Sequence, residues 1–143
     1  MLYEFSESLN QIKPEQLNEN LLTTGVVKLS LLKGKFGAHV GFGPGLIEEC
    51  EKTEGRFRSA VDISDGVLFA IVSVREISED NDARDRVGLF VKKNLMLIVS
   101  LRDDDESIPI ALEETVRRLN IKTISLERLI CAFFERLLSR DGS

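Results

Sequence analysis

The chain has one histidine and two cysteines in 143 residues. A single histidine leaves no basis for a histidine-based triad or a multi-histidine metal centre. Cys50 and Cys131 lie far apart and show no CxxC spacing. That argues against a disulfide framework or a zinc site and fits a reducing compartment. Basic residues are outnumbered, 19 against 24 acids, for a net charge of -5. A nucleic-acid partner would need a basic face, and the pair Lys92-Lys93 is no such patch. No apolar stretch approaches the roughly 20 residues of a membrane helix. The longest candidate, NLMLIVSL, is strand-sized. The opening MLYEFSESLNQIK carries acids where a secretion signal would carry basic residues and a long apolar run.

Catalytic signatures are also missing. Neither GxSxG nor HExxH occurs. GFGPG (41–45) resembles a phosphate loop but is neither GxGxxG nor GxxxxGK, so its glycines read as turn residues. His39 reads as structural or incidental. The pair Glu48-Glu49 is not distinctive in so acidic a chain. No catalytic residue and no organic cofactor are expected.

The length suits one domain with a core of its own. Three strand-like runs stand out: 56–64, 66–77 and 86–101, the last folding back at Lys93-Asn94. Val87, Leu89 and Val91 oppose Phe90, and Leu95, Leu97, Val99 and Leu101 oppose Met96 and Ile98. Both faces of this hairpin are apolar, so both require cover, most simply by helices. One helix is predicted from a Ser107 cap, with Ile108, Ala111, Leu112, Thr115, Val116 and Leu119 on one stripe. Glu113–Arg117 and Glu114–Arg118 are favourable i,i+4 pairs on it. A second helix begins at Ser125, with Leu126, Leu129, Ile130, Phe133, Phe134, Leu137 and Leu138 at helical spacing and Cys131 as a small core residue. Upstream, Pro14 opens a short helix and TTGVVKLSLL reads as a strand. Residues 33–45 read as a glycine-rich loop, and PGLIEECEKTEG as a short helix on Leu46, Ile47 and Cys50. The expected fold class is α/β (α+β): a mixed, largely antiparallel sheet with helices on both faces.

In an up-down-up meander of 66–76, 86–92 and 95–101, two acidic segments leave the same end of the sheet. One carries Glu79, Asp80, Asp82 and Asp85; the other carries Asp103, Asp104, Asp105 and Glu106. A solvated edge that keeps the domain soluble accounts for them. Weak binding of a hard divalent cation is the second reading. An EF-hand is excluded, because DNDARDRVG has Arg84 where a ligand is needed.

The order of pieces carries a family resemblance. GPGLIEECEKTEGRFRSAVDISDGVLFAIVSVREI precedes RVGLFVKKNLMLIVSL, and the chain closes with ISLERLICAFFERLLSR. Over residues 44–139 this resembles the N-terminal cytoplasmic domain of CorA-like magnesium transporters. The matching features are the Leu-acid helix at Leu46 to Glu51, the strand Val67 to Val74, the Lys93-Asn94 turn and the Leu-rich final helix. The family's Gly-Met-Asn signature, long stalk helix and two membrane helices are not in the chain. Residues 1–143 therefore correspond to a single cytoplasmic domain, with a stalk expected beyond Ser143.

The resemblance implies a regulatory and assembly role on the cytoplasmic side of the cell membrane, in a homopentamer. There, Mg2+ bridges acids of neighbouring subunits and holds the pore shut. One such acid maps to Glu49 or its neighbour Glu48, and a register one residue on puts Cys50 at the family's aspartate. A solvated helix face is the other reading of these two glutamates. Co2+, Ni2+ and Zn2+ are not separated from Mg2+ by the sequence. Without the stalk, this chain is expected to be a monomer or weak oligomer. The alternative is a stand-alone soluble ligand-binding or adaptor module that docks a partner through its C-terminal helix.

Overall fold

The computed structural model describes residues 1–51, 60–64, 66–75, 84–102 and 106–142. Alternating apolar residues produce the predicted meander. Strands β5 (Val67–Arg75), β6 (Arg84–Lys92) and β7 (Leu95–Arg102) pair antiparallel in succession, and β4 (Ala60–Ser64) pairs antiparallel with β5. The turn between β6 and β7 is Lys93-Asn94, with Asn94 at φ 59°. Asparagine tolerates this left-handed conformation better than most residues.

The N-terminal part adds three strands, of which only β3, within the predicted 23–32, was expected. β1 (Leu2–Phe5) lies between β2 (Leu9–Ile12) and β3 (Leu22–Lys28), antiparallel to both. β3 then runs parallel to β7, from Thr23 opposite Leu95 to Lys28 opposite Ser100. The result is one seven-stranded mixed sheet in the order β2-β1-β3-β7-β6-β5-β4. Two polar side chains buried at the seam are satisfied: Thr24 Oγ1 donates to the Met96 carbonyl at 2.8 Å, and Thr23 Oγ1 to the Leu21 carbonyl at 3.2 Å.

Helices cover both faces, as the doubly apolar hairpin requires. On one face, α4 (Ser107–Arg118) and α5 (Leu126–Gly142) pack Ile108, Leu112, Leu129 and Phe133 onto Tyr3, Val26, Leu89 and Ile98. On the other, α1 (Leu29–Leu32), α2 (Lys35–Val40) and α3 (Pro44–Glu51) lay Leu32, Phe36, Val40 and Cys50 over Leu2, Phe69, Phe90 and Leu97. The fold is α/β, with the sheet as the central layer. Phe69, Ile71, Phe90, Leu97, Val99 and Phe133 are buried as predicted, whereas Ile130 is only partly covered.

Several local expectations need correction. The strand predicted over 23–32 ends at Lys28, and Leu29 to Leu32 form a helical turn. Residues 35–40 are helical, because Phe36 and Val40 pack on the sheet. Pro14 opens a 3-10 turn of three residues and no longer helix. Glu106 holds the cap position of α4 at φ 57°, and Ser107 is the first helical residue. Ser125 does cap α5, accepting from the Arg128 amide at 3.2 Å. Cys131 is exposed, since it falls off the stripe Leu129–Phe133–Leu137. Glu113 pairs with Arg117 at 3.0 Å as predicted, but Glu114 reaches Arg136 at 2.8 Å and ties α4 to α5. No described helix is long and apolar enough to cross a membrane.

Candidate functional site

α3 is the element on which the sequence placed its site residues. Pro44 sets its first turn, where a missing amide proton costs nothing. Leu46 and Ile47 are partly buried against the sheet and Cys50 is fully buried. These contacts turn the carboxylates outward: Glu48 and Glu51 are exposed and Glu49 is half-buried. Glu51 meets Lys33 at 3.0 Å, which ties α3 to the segment after α1.

Glu48 and Glu49 are sequence neighbours, and neighbours on a helix point in different directions. The two carboxylates cannot close on one small ion by themselves. Among the described residues, no three His, Cys, Asp or Glu side chains converge as metal donors. What α3 offers is one or two hard oxygen donors at a surface, a chemistry suited to a cation that takes its remaining ligands from elsewhere.

Near α3 lies a residue that the sequence reading passed over. Arg86, on β6, is 9% exposed, and its buried Nε has no hydrogen-bond partner among the described residues. It sits near enough to Cys50 to act on the thiol. Burial pushes the Cys50 thiol up to about 11. Arg86 opposes that rise, while Glu49 and Glu51 add to it. Cys50 is therefore held protonated and is a poor nucleophile. The one signal for Arg86 in the sequence was a cation opening a strand otherwise apolar on both faces.

The two thiols should separate cleanly in modification. At pH 8 an aromatic disulfide reagent is expected to titrate one cysteine of the native chain, Cys131, and the second only after denaturant is added. Cys131→Ser should abolish the fast phase. Fast modification of Cys50 in folded Cys131→Ser would place that thiol outside the core.

GFGPG is a structural joint. Gly41 closes α2 in the left-handed region at φ 83°. Phe42 is buried against Phe69 and Phe90, with ring centroids 5.7 and 5.3 Å away. His39 is exposed on α2. The meander brings the end of β5, the start of β6 and the end of β7 to one end of the sheet. Asp85, predicted in the loop, lies within β6 opposite Val74, Glu106 is exposed at the cap of α4, and Glu79, Asp80, Asp82 and Asp103 to Asp105 lie outside the described residues.

The chain matches no protein-family model and no curated protein.

Proposed function

We propose that the chain is the cytosolic regulatory and assembly domain of a CorA-like divalent-cation transporter, sensing intracellular Mg2+ and gating ion transport rather than catalysing a reaction. The observation that carries this reading is the geometry of α3. Its apolar side is fixed to the sheet, while Glu48 stands exposed and Glu49 half-exposed on a short rigid helix. Such carboxylates suit a bridging role, in which a neighbouring chain completes the coordination of a hard ion. The order of elements from α3 through the Lys93-Asn94 turn to α5 also follows the order that the sequence resemblance implies. In this reading α5 leads toward a stalk, and five copies assemble around a pore.

The adaptor alternative is less well supported. Among the described side chains of α5, the exposed ones are Glu127, Arg128, Cys131 and Glu135. Among the described residues that outer face is polar, and the partly exposed Leu126, Ile130 and Phe134 are already packed against the core of this chain.

Half a coordination shell should bind weakly. A hard cation keeps its waters unless several carboxylates replace them, so Mg2+ affinity in the millimolar range is expected for this chain. In an amide-correlation titration, residues 46–51 should respond to millimolar MgCl2 but not to NaCl of equal ionic strength. Glu48→Gln/Glu49→Gln should lose the response. Sedimentation should show a monomer or weak oligomer throughout. Silence at α3 up to tens of millimolar Mg2+ would remove the metal role from these glutamates. Micromolar binding with a stable pentamer would mean that these residues hold the whole sensor.

A further inference from the structure

At the end of the sheet where β6 turns into β7, opposite the β5–β6 connection, the segment after the first 3-10 turn folds against the hairpin. Asn94 Nδ2 donates to the Glu19 carbonyl at 3.0 Å, and the Asn94 carbonyl accepts from the Thr23 amide at 2.8 Å. Between the two segments lies a cavity of about 160 Å³. Leu17, Val40 and Leu95 are its apolar lining, Lys92 brings its ammonium to the wall, and the exposed Lys93 also lines it. We propose that this cavity binds a small phosphate-bearing molecule, with Lys92 and Lys93 as its charge anchors and Asn18 and Asn20 as amide donors.

Charge and donor inventory carry the proposal. The chain as a whole has a net charge of -5, yet this lining sets two lysines against one acid, Glu19, whose side chain is exposed. Lys92 Nζ donates to the Val40 carbonyl at 3.3 Å. That contact holds the ammonium at the cavity wall and leaves two of its three protons to give. Asn18 Oδ1 accepts from the Asn20 amide at 3.0 Å, which orients the Asn18 amide and leaves its Nδ2 protons as donors.

The ligand class follows from these groups. Two point-like cations with amide N–H donors around them match a dianion better than a single carboxylate. The volume lies well below the roughly 300–1,000 Å³ of drug-sized sites, so a phosphate carrying a few carbons fits and a nucleotide does not. The apolar lining accommodates that short carbon portion. The site is independent of the α3 carboxylates, and neither reading depends on the other.

The test uses the 15N-labelled chain with glycerol 3-phosphate and inorganic phosphate as probes, and acetate and NaCl as ionic controls. Glycerol 3-phosphate should move the side-chain amide signals of Asn18 and Asn20 and saturate. Lys92→Gln and Lys93→Gln should each weaken binding about five-fold. Lys93 makes no contact that the fold needs, so its variant stays informative even if Lys92→Gln disturbs α2; melting curves verify each fold. Tighter binding of glycerol 3-phosphate assigns the site to a phosphorylated metabolite, and equal binding assigns it to the phosphate group alone. Either result upholds the proposal. Shifts that never saturate, that acetate reproduces, or that survive in Lys92→Gln/Lys93→Gln would overturn it.

Discussion

Leu97→Asp is expected to unfold the protein at neutral pH. Leu97 is fully buried at the middle of β7, opposite Gly25 on the parallel side and Phe90 on the antiparallel side. Truncating a buried leucine costs about 2–5 kcal/mol, and enclosing an unpaired carboxylate adds several more. Domains of this size have about 5–15 kcal/mol in all. The carboxyl would escape part of the penalty by staying protonated. A raised folded-state pKa means that stability is retained at low pH and lost as pH rises, so the variant should recover structure toward pH 4. Ile110→Asp is the control. Ile110 is 45% exposed on α4, and its replacement should change stability by no more than about 0.5 kcal/mol. Circular-dichroism melting of both variants decides the matter: an unaltered curve for Leu97→Asp would take Leu97 out of the core and break the register of β7.

Gly37→Ala should destabilise the domain although alanine is the better helix former. A side-chain carbon on Gly37 would run into the carbonyl oxygen of Leu32 and stand 2.6 Å from its carbonyl carbon. Both are backbone atoms, and Leu32 is itself buried, so neither can swing aside. The Gly37 carbonyl also accepts from the Phe42 amide at 2.8 Å, so a shift of α2 would disturb the joint that seats Phe42 on Phe69 and Phe90. Helix propensity returns about 1 kcal/mol. Overpacking of this kind costs about 1–3 kcal/mol and more where backbone must move, so the net change should be a loss of about 2 kcal/mol. At Gly34 the nearest atom to such a carbon is the Leu31 carbonyl oxygen at 3.6 Å, and Gly34→Ala should be close to neutral. Urea unfolding of the two variants makes the comparison. A more stable Gly37→Ala would mean that α1 and α2 stand apart.

This glycine also shows where the sequence misled. Between 33 and 45, glycine was read as a breaker of regular structure. Gly37 instead permits two short helices to touch, and Gly41 ends one of them, so the same residues that hid α2 are what allow it. The C-terminal half was legible because its signals are long and redundant. Period-two alternation on both faces of β6 and β7 demanded two covering layers, and the stripes of α4 and α5 supplied one. On the other side only α3 was legible, through Pro44 and its apolar positions; α1 and α2 have four and six residues, too short for a 3.6-residue period to declare itself. β1 and β2 are four residues each, and β2 is a polar edge strand, so local pattern gave no purchase. Glu48 and Glu49 were named only through the family resemblance, since an acid pair is not distinctive in so acidic a chain. Arg86 near Cys50 of α3, and Lys92 and Asn18 in the lining of one cavity, come together only through the tertiary fold, and no sequence window contains either arrangement.

The parallel seam between β3 and β7 sets the order in which the sheet can be completed. Thr24 finds its hydrogen-bond partner, the Met96 carbonyl, 72 residues further along. Translation at about 5–20 residues per second places roughly 4 to 14 seconds between the two. For that interval β2, β1 and β3 can pair only with each other, and the edge of β3 that will meet β7 is an open template, with apolar Val26 on one face and Val27 on the other. A nascent chain in this state invites strand-to-strand capture by its neighbours on the same message. The antiparallel ladder from β4 to β7, by contrast, closes locally as it emerges. The ribosome thus delivers the vulnerable half of the sheet first, and the last strand, β7, seals it.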